Sequence, residues 1–218
     1  MSESTPQTPS LTPSEAVLLQ PERFAPRDTL FTVGFEPVLG GEKVALAPLA
    51  ETLLVVALLA NRRADALRLE IRPKKALFGL RTVRPLVAEV TGTNPGWPAG
   101  TLEAAVLGVL AGGTREAYDV LYAALREDQM NPASWVTVLA MQGLHARGLM
   151  EAREKKALKV FTVTEMVPGP ELEGVVRAHG SAAEEALLRE AQERTEEWNA
   201  LRKAASGAIS ARTESRDD

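Results

Sequence analysis

The sequence predicts an α+β protein, mostly helical, in which two tandem helix-plus-β-hairpin units are followed by a long C-terminal helix. Three observations carry this prediction. The apolar segment Leu46–Ala60 gives way to alternating apolar and charged residues, which indicates a buried helix followed by a strand. The second predicted helix–hairpin unit contains a hexapeptide that closely matches a hexapeptide of the first unit. The segment from Ser181 to about Gly207 carries apolar residues at helical spacing on an acidic background.

The composition excludes several classes of protein. The chain has 218 residues, 45% hydrophobic and 25% charged, which suits one large globular domain or two small ones sharing a core. It contains no cysteine, so a disulfide framework, a thiolate metal site and a cysteine nucleophile are excluded. Its start lacks the pattern of a signal peptide, and Leu46–Ala60 is too short to span a bilayer. We therefore expect a cytoplasmic protein.

The net charge of −4 hides a strongly basic segment. Between Asn61 and Pro85 eight basic residues face two acidic ones, which gives +6 and leaves −10 for the rest of the chain. The basic residues are Arg62, Arg63, Arg68, Arg72, Lys74, Lys75, Arg81 and Arg84. Such a cluster in an acidic protein indicates an anionic partner. The alternative is a solvated face whose arginines pair with the acidic C-terminal helix.

The first helix–hairpin unit is predicted over about residues 13–95. A capping-box pattern from Thr12 to Glu15 begins a short helix, and a loop with one or two short strands around Leu30–Val33 follows. After the Leu46–Ala60 helix we predict a strand at Leu67–Arg72, a turn at Pro73–Lys75 and a return strand at Ala76–Val83. The alternation predicts that Leu67, Leu69 and Ile71 point inward.

The second unit is predicted over about residues 96–170. We expect a turn-rich linker at Thr91–Gly100 and a helix at Leu102–Leu110. Thr114 and Asn131 are predicted to cap two further helices, the first running to about Asp128 and the second burying Trp135 and Leu139. The hairpin that follows has predicted strands at Leu149–Glu154 and Ala157–Thr164. Three helices and a two-stranded wing form a winged-helix-like arrangement.

The predicted organisation has four parts. Residues 1–12 are expected to be a disordered N-terminus, and residues 13–170 one globular domain made of the two units. The C-terminal helix is predicted over residues 171–209 and a disordered tail over residues 210–218. This helix offers a surface for a protein partner or a second copy of the chain.

The two predicted hairpins share a sequence. Arg72-Pro-Lys-Lys-Ala-Leu77 and Arg153-Glu-Lys-Lys-Ala-Leu158 match at five of six positions, which indicates a pseudo-repeat with a Lys-Lys pair at each hairpin tip. The candidate residues for binding an anionic ligand come from these tips and from the end of the first helix. They are Arg62, Arg63, Arg72, Lys74, Lys75, Arg153, Lys155 and Lys156.

Motifs for catalysis do not occur in this sequence. His145 and His179 have no acidic or cysteine residue at metal-ligand spacing, and neither a phosphate-binding loop nor a nucleophile elbow is present. We therefore predict a non-enzymatic protein with no catalytic residue, metal or cofactor. Trp97 lies in a loop of prolines and glycines, where it either plugs the core, the interpretation we favour, or anchors a ligand or bilayer.

The junction between the second helix and its hairpin resembles the bacterial branch of the Golgi phosphoprotein 3-like family. The resemblance rests on Leu144-His-Ala-Arg-Gly-Leu149, the charged hairpin, Lys159-Val-Phe161 and Thr164 followed by Pro168, and extends over about residues 11–170. It implies a largely helical protein, peripheral to membranes, in which Arg62 or Arg63 contacts a phosphoinositide-like headgroup. The tryptophan that eukaryotic members use near the headgroup has no counterpart before the Leu53 helix.

Residues 102–165 also resemble PadR-type transcription regulators, in which a winged helix precedes a dimerising helix. Against this alternative, the presumed recognition helix after Asn131 has few basic residues, whereas DNA affinity depends mainly on neutralising phosphates. The sequence therefore predicts a binding or adaptor module at an anionic surface, with membrane lipid first, nucleic acid second and a protein-interaction scaffold third.

Overall fold

The computed structural model describes residues 10–76, 80–111, 113–125, 131–157 and 161–215. It is an α+β structure, 54% helical, with small antiparallel sheets and a long C-terminal helix. The helices in the described ranges are α1 Pro13–Leu19, α2 Leu46–Arg63, α3 Leu102–Leu110, α4 Ala117–Ala124, α5 Pro132–Ala146, α6 Leu172–His179, α7 Ala182–Glu193 and α8 Thr195–Glu214. The strands are β1 Gly34–Phe35, β2 Val44–Ala45, β3 Leu67–Ile71, β4 Lys74–Ala76, β5 Arg81–Val83, β6 Leu86–Val90, β7 Thr114–Glu116, β8 Met150–Ala157 and β9 Phe161–Pro168.

Helix α2 forms the centre of the core. Every residue from Leu53 to Asn61 is buried, so the helix has no solvent-facing side between these two residues. Helices α1, α3, α5, α7 and α8 all pack against it. The prediction of a central buried helix is confirmed, and the helix continues beyond Ala60 to Arg63.

The first hairpin is longer than predicted and has a bend. Strand β3 pairs with β6, Leu67 opposite Val90, and β4 pairs with β5, Lys74 opposite Val83. Pro73 and Pro85 lie at the bend between the two pairs, because proline has no N–H to donate to a ladder. The predicted turn at Pro73–Lys75 is therefore wrong, because Lys74 and Lys75 lie in β4. Of the predicted return strand Ala76–Val83, the end is confirmed as β5, whereas Ala76 belongs to β4. Leu67 and Leu69 are buried as predicted, and Ile71 is half-buried against the core.

Two sequence predictions before α5 are also wrong. Thr114 begins strand β7, which adds to the edge of β6, and α4 ends at Ala124 rather than near Asp128. Leu30–Val33 forms an exposed turn, and the short strands of this region are β1 and β2 instead. At Thr114, pairing with β6 took the backbone groups that local sequence assigned to a helix cap.

Helix α5 and the second hairpin follow the prediction more closely. The Asn131 side chain accepts from the Ala133 and Ser134 N–H groups, so it caps α5 as expected. Trp135 is buried, whereas Leu139 is only half-buried. Strands β8 and β9 pair from Met150–Pro168 to Ala157–Phe161. Lys155 and Lys156 thus lie within β8, opposite Val163 and Thr162, and not in the turn that was predicted for them.

The C-terminal region contains three helices where one was predicted. Helix α6 was not foreseen, Ser181 precedes α7 as expected, and Arg194 separates α7 from α8 with a non-helical ψ of 67°. Helix α8 extends to Glu214, so the first residues of the predicted disordered tail are helical. Leu11 and Thr12, at the end of the predicted disordered N-terminus, are buried. Residues 1–9 and 216–218 of the two predicted disordered ends lie outside the described residues.

Candidate functional site

The basic segment has an inner part that is tied to the C-terminal helix. Arg62 donates to Glu197 of α8, and both side chains are largely buried, at 17% and 16% exposed. Arg84 pairs with Glu196 of the same helix at 2.8 Å. These two contacts support the alternative that the arginines pair with α8. Of the candidate residues, Arg62 therefore serves the packing of α8 against α2.

The middle of the first hairpin is paired within its own sheets. Arg72 donates to Glu70 at 2.9 Å and also to Glu89, and the hydrogen bonds to these carboxylates raise its pKa. Lys74 donates to Glu116 of β7 at 2.8 Å, and this contact raises the pKa of Lys74. The two cations remain solvent-accessible, but their charges are balanced.

The outer end of the hairpin carries charges of a different kind. Lys75 and Arg81 are exposed and form no ion pair with any residue in the described part of the chain. The Lys75 ammonium only donates to the Thr82 hydroxyl, at 3.2 Å. Leu80, next to Arg81, is 89% exposed. We call Lys75, Leu80 and Arg81 the tip cluster.

The remaining candidates lie apart from the tip cluster. Arg63 is exposed at the end of α2 and makes no ion pair with the described residues. Arg153 pairs with Glu151 on its own strand at 3.3 Å. For Lys155 and Lys156 only the strand register is described. The two hairpins belong to separate sheets, and β8 packs on α5, so no shared sheet brings the two Lys-Lys pairs together.

The loop before β1 is an apolar surface that sequence reasoning missed. Leu30 and Phe31 are 99% and 97% exposed. The base of the loop is fixed, because Ala45 N–H donates to the Pro26 carbonyl and Leu46 N–H to the Val33 carbonyl. The sequence signal for this surface is the pair of large apolar residues between Thr29 and Thr32. The segment is too short to form a strand with neighbours on both sides.

Trp97 has the contacts of a structural residue. Its indole N–H donates to the Asn61 side-chain oxygen at 2.9 Å, and its ring is half-buried. Asn61 is fully buried and donates to the carbonyls of Ala57 and Glu103. The loop tryptophan is therefore linked to α2 and, through Asn61, to α3. This geometry agrees with the core-plug interpretation.

Buried carboxylates surround the start of α1. Glu15 pairs with Arg147 and accepts from the Thr12 N–H at 2.8 Å. Glu103 accepts from the Ser14 N–H and hydroxyl at 2.8 and 2.9 Å, and burial raises its pKa. Each carboxylate is bonded to the α1 N-terminus, where the helix dipole favours negative charge. We assign both to holding α1 in place.

Each histidine contacts a neighbouring group of the fold. His145 Nδ1 is 2.9 Å from the Met150 carbonyl, and His179 Nε2 is 3.1 Å from the Glu184 carboxylate. Within the described ranges no three His, Cys, Asp or Glu residues are grouped so as to hold a metal ion. Among the same residues, no helix is both long and apolar enough to cross a bilayer.

Comparison with known proteins gives no relative of this chain. No family model, no curated protein and no solved structure matches it. The fold and the surface define a mainly helical α+β protein with a basic hairpin.

Proposed function

We propose that this protein is a non-enzymatic binding module that contacts anionic membrane lipid, with the tip cluster as its main contact. The observation that carries the proposal is the division of charge along the first hairpin. Arg62, Arg72, Lys74 and Arg84 are neutralised by glutamates, whereas Lys75 and Arg81 are exposed and unpaired among the described residues.

The exposed leucine between these cations favours a membrane over other anionic partners. Leu80 is surrounded by water in the free protein, and burying a leucine side chain in an apolar phase contributes roughly 1.5–3 kcal/mol. Each basic residue near an anionic leaflet contributes about 1 kcal/mol. Lys75 pairs with Thr82, so Lys75 and the neighbouring Arg81 lie on opposite faces of the β4–β5 pair. The outer end of the hairpin therefore offers an apolar residue together with one cation on each face.

DNA is less well matched by this geometry. Helix α5 is the presumed recognition helix of the winged-helix interpretation, which we keep as part of this proposal. From Pro132 to Ala146 it has no lysine or arginine, and much of it is buried against the core. A recognition helix without cations cannot neutralise the phosphates that dominate DNA affinity.

Co-sedimentation with vesicles tests the proposal. The vesicles contain phosphatidylcholine with or without phosphatidylserine, over a salt series. We expect binding only with phosphatidylserine, and Lys75→Glu/Arg81→Glu should weaken it more than about 30-fold, since two contacts of about 1 kcal/mol are lost. Leu80→Asp should weaken binding without changing the number of cations.

The matched control is Arg177→Glu/Arg189→Glu. Both positions are exposed on α6 and α7, and both double variants change the net charge from −4 to −8. The proposal is wrong if the control loses as much binding as the tip variant. It is also wrong if the wild type prefers duplex DNA to anionic vesicles at equal ionic strength, or binds neither.

A further inference from the structure

A cleft of about 570 Å³ lies between the bend of the first hairpin, α4 and α8. Its volume falls within the range of about 300–1,000 Å³ that is usual for small-molecule sites. The apolar lining consists mainly of Val83, Pro85, Leu86, Tyr118, Ala204 and Gly207. The cleft contains no residue of the tip cluster. It borders the hairpin at Val83, which pairs with Lys74.

Small residues on α8 create the space. Ala200, Ala204 and Gly207 recur at three- and four-residue intervals, so they lie on one side of the helix. From Ala200 to Ser210, both of which line the cleft, the helix rises about 15 Å at 1.5 Å per residue. The cleft therefore suits a rod-shaped apolar body.

Tyr118 forms a wall that is already in place. Its ring stacks on Tyr122 with centroids 5.9 Å apart and an interplanar angle of 18°. Tyr122 is in turn held by Arg212, whose guanidinium lies 3.6 Å from the ring centroid and donates to the Tyr122 carbonyl. Because these contacts already hold the Tyr118 ring, ligand binding would not have to order this side chain.

The charges at the cleft leave one cation uncompensated. Arg84 pairs with Glu196, and Glu116 pairs with Lys74. Lys203 also lines the cleft, is exposed and forms no ion pair within the described part of the chain. One free positive charge beside an apolar floor matches a ligand with one negative charge. A phosphate monoester, at about −1.5 to −2, would be matched less well.

We propose that this cleft binds a long-chain monocarboxylate, with the chain along α8 against Tyr118 and the carboxylate at Lys203. The site is independent of the proposed membrane contact, because it shares no residue with the tip cluster. A protein that fails to bind vesicles would still bind the carboxylate, and the reverse also holds.

Calorimetric titration with decanoate below its micelle concentration tests this proposal on the full chain. We expect saturable binding of one decanoate, and weaker binding of both decyl phosphate and decanol. Lys203→Met should reduce decanoate affinity about fivefold, as for loss of one exposed ion pair, and should leave decanol unaffected. Lys75→Glu/Arg81→Glu should bind decanoate like the wild type.

Gly207→Leu fills the cleft. The position is helical, and an added Cβ would meet Tyr118 carbons at 3.5 Å, an ordinary contact, so the fold should tolerate it. We expect decanoate affinity to fall more than about tenfold, because the leucine occupies the chain's place. The control is Gly174→Leu on α6, where an added Cβ meets nothing within 4 Å.

Three results would overturn the proposal. They are the absence of saturable decanoate binding, equal binding by the wild type and Gly207→Leu, and tighter binding of decyl phosphate or decanol than of decanoate. Lys203→Met keeps the test decisive if Gly207→Leu does not fold, since an exposed lysine can be replaced without loss of packing. An unchanged decanoate affinity in Lys203→Met would be a fourth such result, because the carboxylate would then not lie at Lys203.

Discussion

At the scale of single residues, two of the buried carboxylates in the described part of the chain, Glu15 and Glu103, have different kinds of partner. Glu15 is fully buried and has a cation, Arg147, whereas Glu103 is fully buried and is bonded to Ser14. The folded state bears the desolvation cost of a buried ion whether or not the ion has partners. A buried ion is therefore stabilising only while its partners remain. The two residues therefore respond to different perturbations.

Removal of Arg147 should expose the cost of the buried Glu15 charge. We expect Arg147→Met to lower the free energy of unfolding by about 3–5 kcal/mol, which is typical when one member of a buried ion pair is removed. Urea denaturation at neutral pH measures the effect. Adding Glu15→Gln should restore part of the loss, since no unpaired charge then remains. A single variant within about 1 kcal/mol of the wild type would contradict the assignment.

Glu103 should make stability fall as the pH rises. Its pKa in the folded state is raised above the ordinary value of 4.5. The folded state therefore binds this proton more tightly, and the resulting stability is present below pH 4.5 and lost as the pH rises through the raised pKa. Relative to the wild type, Glu103→Gln should thus gain stability between acidic pH and pH 8, measured by urea denaturation.

Glu185 supplies a control of opposite sign. Hydrogen bonds from Arg23 and Ser181 lower the pKa of this exposed carboxyl. Its contribution is present above the ordinary pKa and lost as the pH falls, so Glu185→Gln should lose stability relative to the wild type as the pH rises. If the stability of Glu103→Gln changed with pH in the same direction as that of Glu185→Gln, burial would not be the dominant influence on the pKa of Glu103.

At the scale of elements, helix α5 depends on a cap and on one large side chain. Asn131 holds the first turn, and Trp135, one turn later, is 8% exposed and packs in the core. The helix contacts α1, α2, α3, α8 and β8. A change in its packing should therefore affect the whole domain.

Trp135→Ala should destabilise the protein by about 3–5 kcal/mol, the usual cost of truncating a buried tryptophan. Thermal denaturation followed by circular dichroism measures the change, and Trp135→Phe, which keeps most of the volume, should lose less. Melting within a degree or two of the wild type would show that α5 does not lie in the core as described.

At the scale of the whole molecule, α8 connects parts that are distant in sequence. It packs on α2, α4, α5 and both strands of the main hairpin pair, β3 and β6. Arg62 and Arg84 fasten this packing through Glu197 and Glu196. Residues of the same helix line the cleft beside Tyr118. Much of the basic segment thus serves assembly, and only its outer end is left for an anionic partner.

Sequence alone determined the features that depend on neighbouring residues. Periodicity predicted helix α2, the inward direction of Leu67 and Leu69, and the existence of both hairpins. Capping patterns predicted where α1 and α5 begin. Tertiary structure decided the features that depend on distant residues. Strand β7 exists because β6 offers an edge, and Arg62 is neutralised because α8 folds back on α2. A charge that looks free in sequence acquires its partner only when long-range packing brings one within reach, so the composition of the basic segment was evident while its division into paired and unpaired cations was not.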